Sequence, residues 1–532
     1  MFKANYRIFV VIATMGAMAL VLSGCGGKQQ RLAAHLEKSR SLLAQGDFEK
    51  ARIEIKNVLQ IDPKMADAYY LAGMIEEKQQ AWQKAFGNFQ RAVELDPTQY
   101  RARVRLGRLY LFGGDAARAE ESAAAVLAKV PDDPGALSLK AAVLARKGDV
   151  DAAIAMVAAV MDRDATQTDA VALLAGLKTA RGDVAGAEQV LSRGIEAKPD
   201  DTELRLALIA LYVGQSELSK AEPQYAELIR IRPGETEHRV GLARLQVAAG
   251  DLAKAEATLR QAVEAKPDDD NRYLLLADFL ASRKSVIEAE KFLSAAIESR
   301  PKAYALQFSL ARLDAGSGNV DQAERIYRGI VERDRLGPDG LRARSDLADL
   351  RLRRGRPDEA AALIAEVLKE NPHDNQALML RGQLALDRGD AAGAIADFRS
   401  VVKDQPNSVP VMTQLARAHL ANGERELARE TLGKAVTLYP KQPEVRVLMA
   451  ELRAATGDLP GAIEDLDLVI GQDPKSFRAL SAKAEIRAAQ RNWKSAEDSL
   501  AALRKAYPED ARVYQRLGGL YFAQRRLGPA AE

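Results

Sequence analysis

The sequence predicts an all-α solenoid of paired antiparallel helices, and three regularities predict it. Prolines recur 34 residues apart, at Pro63, Pro97 and Pro131, at Pro199, Pro233, Pro267 and Pro301, and at Pro372, Pro406, Pro440, Pro474 and Pro508. Alanine holds the phase twelve residues earlier: Ala51, Ala85, Ala119, Ala153, Ala187, Ala221, Ala255, Ala289, Ala323, Ala360, Ala394, Ala428, Ala462 and Ala496, with Ala530 continuing the series. Five residues before many of these alanines stands a Gly-Asp pair, as in Gly46-Asp47, Gly148-Asp149 and Gly457-Asp458. A fixed period in this range marks a repeat array, which must be recognised before any other element is read.

The chain opens differently. Lys3 and Arg7 precede an apolar run from Ile8 to Leu22, too short and too poorly flanked for a membrane span, which fits a signal peptide over residues 1–24. The run ends in Leu22-Ser23-Gly24-Cys25, and the polar stretch Gly26-Gly27-Lys28-Gln29-Gln30 follows. Cys25 is the single cysteine, so no internal disulfide can form. The four residues ending at Cys25 resemble the bacterial lipobox. That resemblance implies cleavage before Cys25, a lipidated cysteine with a short tether over residues 25–31, and attachment to the membrane through the N-terminal lipid. Each buried methylene of such a lipid adds about 0.8 kcal/mol. Gly26 in place of an aspartate implies, by the same resemblance, an outer-membrane lipoprotein of the bacterial envelope that faces the periplasm.

Composition narrows the remainder. Hydrophobic residues are 47% of the chain but aromatics only 5%, which suits helices packed on small side chains and suits strands poorly. Charged residues, at 28%, are well mixed, unlike a disordered tail. Net charge is +3 and falls to about +1 without Lys3 and Arg7, because residues 1–24 hold no acid. A near-neutral chain lacks the basic stripe that phosphate backbones require, which argues against nucleic acid as a partner.

Within each repeat the phases have physical meanings. Glycine stops the first helix with a positive φ, and the aspartate caps the second. Twelve residues before the alanine stands a small residue in nearly every repeat, as in Gly73, Gly107, Ala175, Ala243 and Gly382, with Ile209 and Ser39 departing. Four after it stands a large one, as in Phe89, Leu191, Tyr225, Leu259, Tyr327 and Phe398. Small positions let helices cross closely, and the large one fills the groove beside them. Proline closes the second helix because it cannot continue one. A first block of repeats spans residues 32–335 and a second 341–532. Between Pro301 and Pro372 lie two periods plus three residues, and the excess falls at Leu336-Gly337-Pro338-Asp339-Gly340. It reads either as a longer loop between repeats or as a break in superhelical pitch. About fourteen complete repeats and a partial fifteenth are expected. The array stops at Ala530-Ala531-Glu532, where a second helix is due, so a piece of a longer protein is expected.

Period, small-residue phase, turn and proline together resemble the tetratricopeptide repeat (TPR) family, from about residue 32 onward. The resemblance implies a right-handed superhelical solenoid, stabilised by stacked neighbours, whose first helices line a concave groove for other proteins. The Gly-Cys-Gly-Gly-Lys start joined to a long array is also similar to the TPR lipoproteins of PEP-CTERM/exosortase and exopolysaccharide-export systems. That similarity implies a scaffold for an export, sorting or exopolysaccharide assembly, with other envelope proteins or peptides as partners. The alternatives are direct polysaccharide binding during export, or the non-catalytic part of a longer protein.

Little in the sequence carries chemistry. His35, His238, His373 and His419 lie in different repeats at unrelated phases, so no metal cluster is expected. No phosphate-binding glycine loop is present, and the carboxylates read as solvated helix faces. The expectation is therefore no enzyme and no cofactor. Binding is the better question. Fifteen residues before the alanine, the middle of the array carries an apolar line, Leu206, Val240, Leu274 and Phe308, with Arg244 and Arg312 beside it. This suits an extended or helical peptide with acidic flanks; alternatively these side chains pack against neighbouring helices. Chaperone-binding TPR proteins place Lys at that phase and Asn four residues later, and no repeat here has either. Two arginine clusters, Arg101, Arg103, Arg105 and Arg108, and Arg342, Arg344, Arg351, Arg353, Arg354 and Arg356, read as faces paired with acids or as a site for polysaccharide or lipid headgroups.

Overall fold

Helices of 13 and 14 residues alternate along the chain, as in Tyr304–Gly316 after Val286–Ser299. The computed structural model describes residues 27–528, which form 29 helices and, among the described residues, no strand. Residues 1–24, read above as a signal peptide, Cys25 and Ala530 lie outside the described residues. No helix among the described residues is long and apolar enough to cross a membrane.

The turn inside each repeat follows from its two residues. Gly148 sits at φ +94°, a conformation that costs glycine nothing. The Asp149 carboxylate then accepts a hydrogen bond from the Ala152 N–H at 3.2 Å, capping the next helix. Asp47, Asp115, Asp183, Asp251, Asp390 and Asp458 cap in the same way. The repeat imposes the left-handed turn even without glycine: Gln80, Ser216 and Arg491 adopt it at φ 58–60°. The cost there is roughly 1–2 kcal/mol each.

Packing explains the alanine phase. All fourteen alanines of the series among the described residues are 0% exposed. Each lies where two helices of a repeat cross, with no room for a longer side chain. The two other core phases adjust to one another. A Cβ on Gly73 would lie 2.4 Å from the Phe89 ring, and one on Gly382 would lie 2.5 Å from the Phe398 ring. Where the large residue is Leu191 or Leu259, the small one is Ala175 or Ala243. Ala255→Leu is therefore expected to overpack a crossing and cost about 1–3 kcal/mol. Its damage should stay within neighbouring repeats. Hydrogen exchange would measure this; uniform loss of protection along the array would contradict it.

The chain divides into two compact units, residues 1–267 and 268–532. In the first, one buried cluster runs through successive repeats from Ala141 to Leu245, and smaller ones centre on Ile55 and Phe89. In the second, clusters succeed one another around Phe308, Ile364, Phe398, Leu466 and Leu500. In each unit the core lies between a layer of first helices and a layer of second helices, as stacked repeats require.

The three extra residues do not lengthen a loop. Helix Val320–Asp334 has 15 residues and helix Pro338–Arg353 has 16, against the usual 14 and 13. Only residues 335–337 join them. Arg335 turns the chain at φ +50°, and the Asp334 carboxylate accepts the Gly340 N–H at 2.8 Å. The insertion is thus absorbed as helix, because added helical turns keep backbone groups bonded where a loop would not.

Candidate functional site

First helices carry the candidate binding residues, and the structure treats them unequally. In the first unit, Leu206 on helix Thr202–Gly214 is 42% exposed. Val240 is half-buried and Arg244 exposed, both on helix Thr236–Ala248. Burial lifts the Tyr225 phenol above its ordinary pKa, and the nearby positive charge of Arg244 pulls it back. In the second unit Leu274 is half-buried and Arg312 exposed. Neither Arg244 nor Arg312 forms an ion pair among the described residues.

Phe308 is a correction. It is 1% exposed and belongs to the core, not to an accessible groove. Its ring lies 6.1 Å from that of Tyr327, and the Arg342 guanidinium sits 4.2 Å above it. Arg342 comes from the first helix of the next repeat, Pro338–Arg353. Tyr327 is pushed up to about 12 by burial, aided by the Asp346 charge. Burial also raises the Asp346 carboxyl, although Gln376 donates to it at 2.6 Å.

Charges bridge the groove surface of the first unit. Arg108 on helix Tyr100–Phe112 pairs with Asp169 of helix Thr168–Ala180 at 2.6 Å, two repeats on. Arg105 stands between Glu77 at 3.5 Å and Asp169 at 3.8 Å. Lys78 pairs with Glu203, four repeats away. Burial alone would lower the Arg105 pKa, but Glu77 and Asp169 hold it above its usual value. Burial likewise opposes the Asp169 carboxylate, and the Arg108 hydrogen bond nonetheless keeps it below the ordinary range. Sequence reading found Arg105 and Arg108 but not their partners. Asp169 and Glu203 share one phase, in the first turn of a first helix, yet only the superhelical pitch brings them opposite the basic residues.

The second arginine cluster is engaged within the chain. Arg351, 4% exposed, pairs with Glu324 and lies 2.9 Å from Glu359. Arg354 reaches Asp321 and Glu324, Arg344 reaches Glu366 at 2.8 Å, and Arg353 reaches Asp349 at 2.7 Å. With Arg342 over Phe308, the cluster presents no row of free guanidinium groups to a polyanion. Among the described residues no group of three or more His, Cys, Asp or Glu is placed to hold a metal ion. His35 and His419 are paired with Glu54 and Glu424. What the surface offers is exposed apolar and cationic side chains on rigid helices, the materials of peptide recognition.

Comparison with known proteins adds to this geometry. Two tetratricopeptide repeat profiles match the chain, one over residues 36–100, 308–366 and 345–409. The other covers residues 76–143, 144–211, 212–279, 385–452, 426–486 and 453–518. No curated protein matches. Among solved structures, the chain is similar to Naa15/Naa10 bound to HypK-THB, at 14% identity and a TM-score of 0.40, over 99% of this chain and 100% of that one. It is similar to yeast Tom70 at 16% identity and a TM-score of 0.39, over 87% and 99%. A tetratricopeptide repeat protein from Parabacteroides merdae gives 17% and 0.38, over 49% and 98%.

Proposed function

The chain belongs to the tetratricopeptide repeat family, and from that premise we propose that it is a non-catalytic scaffold for other proteins. In this reading it is lipid-anchored through Cys25 in the bacterial outer membrane and faces the periplasm. There it holds envelope proteins or peptides of an export, sorting or exopolysaccharide assembly. The observation that carries the scaffold is a constant frame bearing a changing face. Fourteen alanines at one phase are wholly buried, whereas eleven residues earlier the exposed positions read Gly176, Ala210, Arg244, Asp278, Arg312 and Glu485. A frame that repeats while its exposed residues vary can present a different chemical row to each stretch of a partner. The anchor is supported by Leu22-Ser23-Gly24-Cys25 after the apolar run and by the polar residues that follow.

Mass spectrometry of the mature N-terminus isolated from membranes, with crosslinked partners identified in the same sample, tests both halves. An acylated Cys25 and envelope proteins above background are the expected result. An unmodified terminus sinks the anchor, and recovery of no envelope protein sinks the scaffold.

A further inference from the structure

One pair of positions recurs between the second helix of a repeat and the first helix of the next. The residue after the conserved alanine faces the residue nine before the following alanine. Arg52 donates to Glu76 at 3.2 Å, Tyr212 to Glu188 at 2.9 Å, and Gln246 to Glu222 at 2.9 Å. In the second unit Arg351 donates to Glu324. Each pair sets a donor against a carboxylate. The repeat pairing Glu290 with Asp314 sets carboxylate against carboxylate.

Asp314 is 5% exposed, and its Oδ2 is buried without a hydrogen-bond partner. Among the described residues Glu290 accepts only from the Ser317 hydroxyl, at 2.9 Å. Both line a cleft with Ile287, Lys291, Ser294, Ala295, Glu298, Leu310 and Gln322. Ile287 is 62% exposed at this cleft. An unpartnered acceptor at such depth is destabilising unless a donor arrives.

Resting on the scaffold reading above, we propose that this cleft receives a long basic side chain, arginine or lysine, of a partner protein, with Asp314 and Glu290 taking its terminal nitrogen. The walls fit that shape: Ile287, Ala295 and Leu310 cover a methylene stem while the acids meet the charge. Glu298 adds a third negative charge. Facing these from the chain itself are Lys291, exposed and without an ion pair among the described residues, and Arg325 on the next second helix, which donates to Gln322. Burial, then the Glu290 charge, raises the Asp314 pKa, with Arg325 opposing. A raised folded-state pKa means stability is lost as pH rises through it. Asp314→Asn removes that penalty, and the variant should melt no lower than the parent at neutral pH.

The test follows the Ile287 methyl signal by NMR in the full chain as a glycine pentapeptide with one central arginine is added. Asp314→Asn should weaken binding at least tenfold, and Asp404→Asn, an exposed acid at the end of helix Ala391–Asp404, should leave it within twofold. Equal loss in both variants, or no loss in the first, overturns the proposal in favour of general charge attraction. Spermidine binding as tightly and with the same dependence on Asp314 overturns the partner side chain in favour of a free polyamine. Either failure removes this cleft alone, since envelope partners crosslinked to the membrane protein are read independently.

Discussion

Phe398→Ala is expected to cost about 3–5 kcal/mol, the largest loss from any single truncation considered for this array. The ring is wholly buried and lies against Gly382 of the preceding helix, with Ala394, Leu415 and Ala418 in the same cluster. Little can move in to fill the void, because both helices are held by the repeats on either side. The sharper form of the prediction uses the partner. Gly382→Ala alone should cost about 1–3 kcal/mol, since a Cβ meets the ring at 2.5 Å. Phe398→Leu alone should also destabilise. Together they rebuild the Ala175–Leu191 combination found elsewhere in this chain, so the double variant should be more stable than the sum of the two losses by 1 kcal/mol or so. Urea denaturation of the four proteins measures this, and strict additivity would show that the two phases are not matched.

That matching shows which parts of the molecule were legible in the sequence. The frame was readable because Ala153 and Ala394 do the same task in the same surroundings, so each repeat serves as a control for the others. The reading failed where surroundings differ. Phe308 occupies the phase of Leu206, but Arg342 of the next repeat's first helix lies over it. The bridge from Arg108 to Asp169 depends on the pitch of the superhelix, which no single repeat encodes. The Glu290–Asp314 clash was written in the sequence, as two acids 24 residues apart. Its meaning needed the structure to show that those two positions touch in other repeats.

Asp465→Ala is the second large expectation, at about 3 kcal/mol. Asp465 is 4% exposed on helix Leu459–Gln472 and accepts from Arg446 at 2.7 Å and from Arg453 at 2.8 Å, both on helix Pro443–Ala455. Its removal leaves two guanidinium groups facing each other over a lost acceptor, the situation in which a buried pair is costly to break. Arg453 reaches solvent, which keeps the cost below the top of the range for such pairs. Glu426→Ala is the contrast. Its pair with Arg429 is well exposed and should change stability by less than about 0.5 kcal/mol. Thermal melts at low and high salt separate the two: the Asp465 loss should persist in 1 M salt, the concentration at which the Debye length is about 3 Å. Loss of the Asp465 effect in salt would show that water reaches the pair.

The ion pairs across the first unit's groove give it a latch. An array in which each repeat touches only its neighbours behaves like a line of coins, with no sense of how far apart two members stand. Lys78 with Glu203 and Arg108 with Asp169 tie the line back upon itself. The fastenings are partly exposed charges, each worth about 0–1 kcal/mol, so thermal motion undoes them readily. Salt, by screening these partly exposed charges, should loosen the ties.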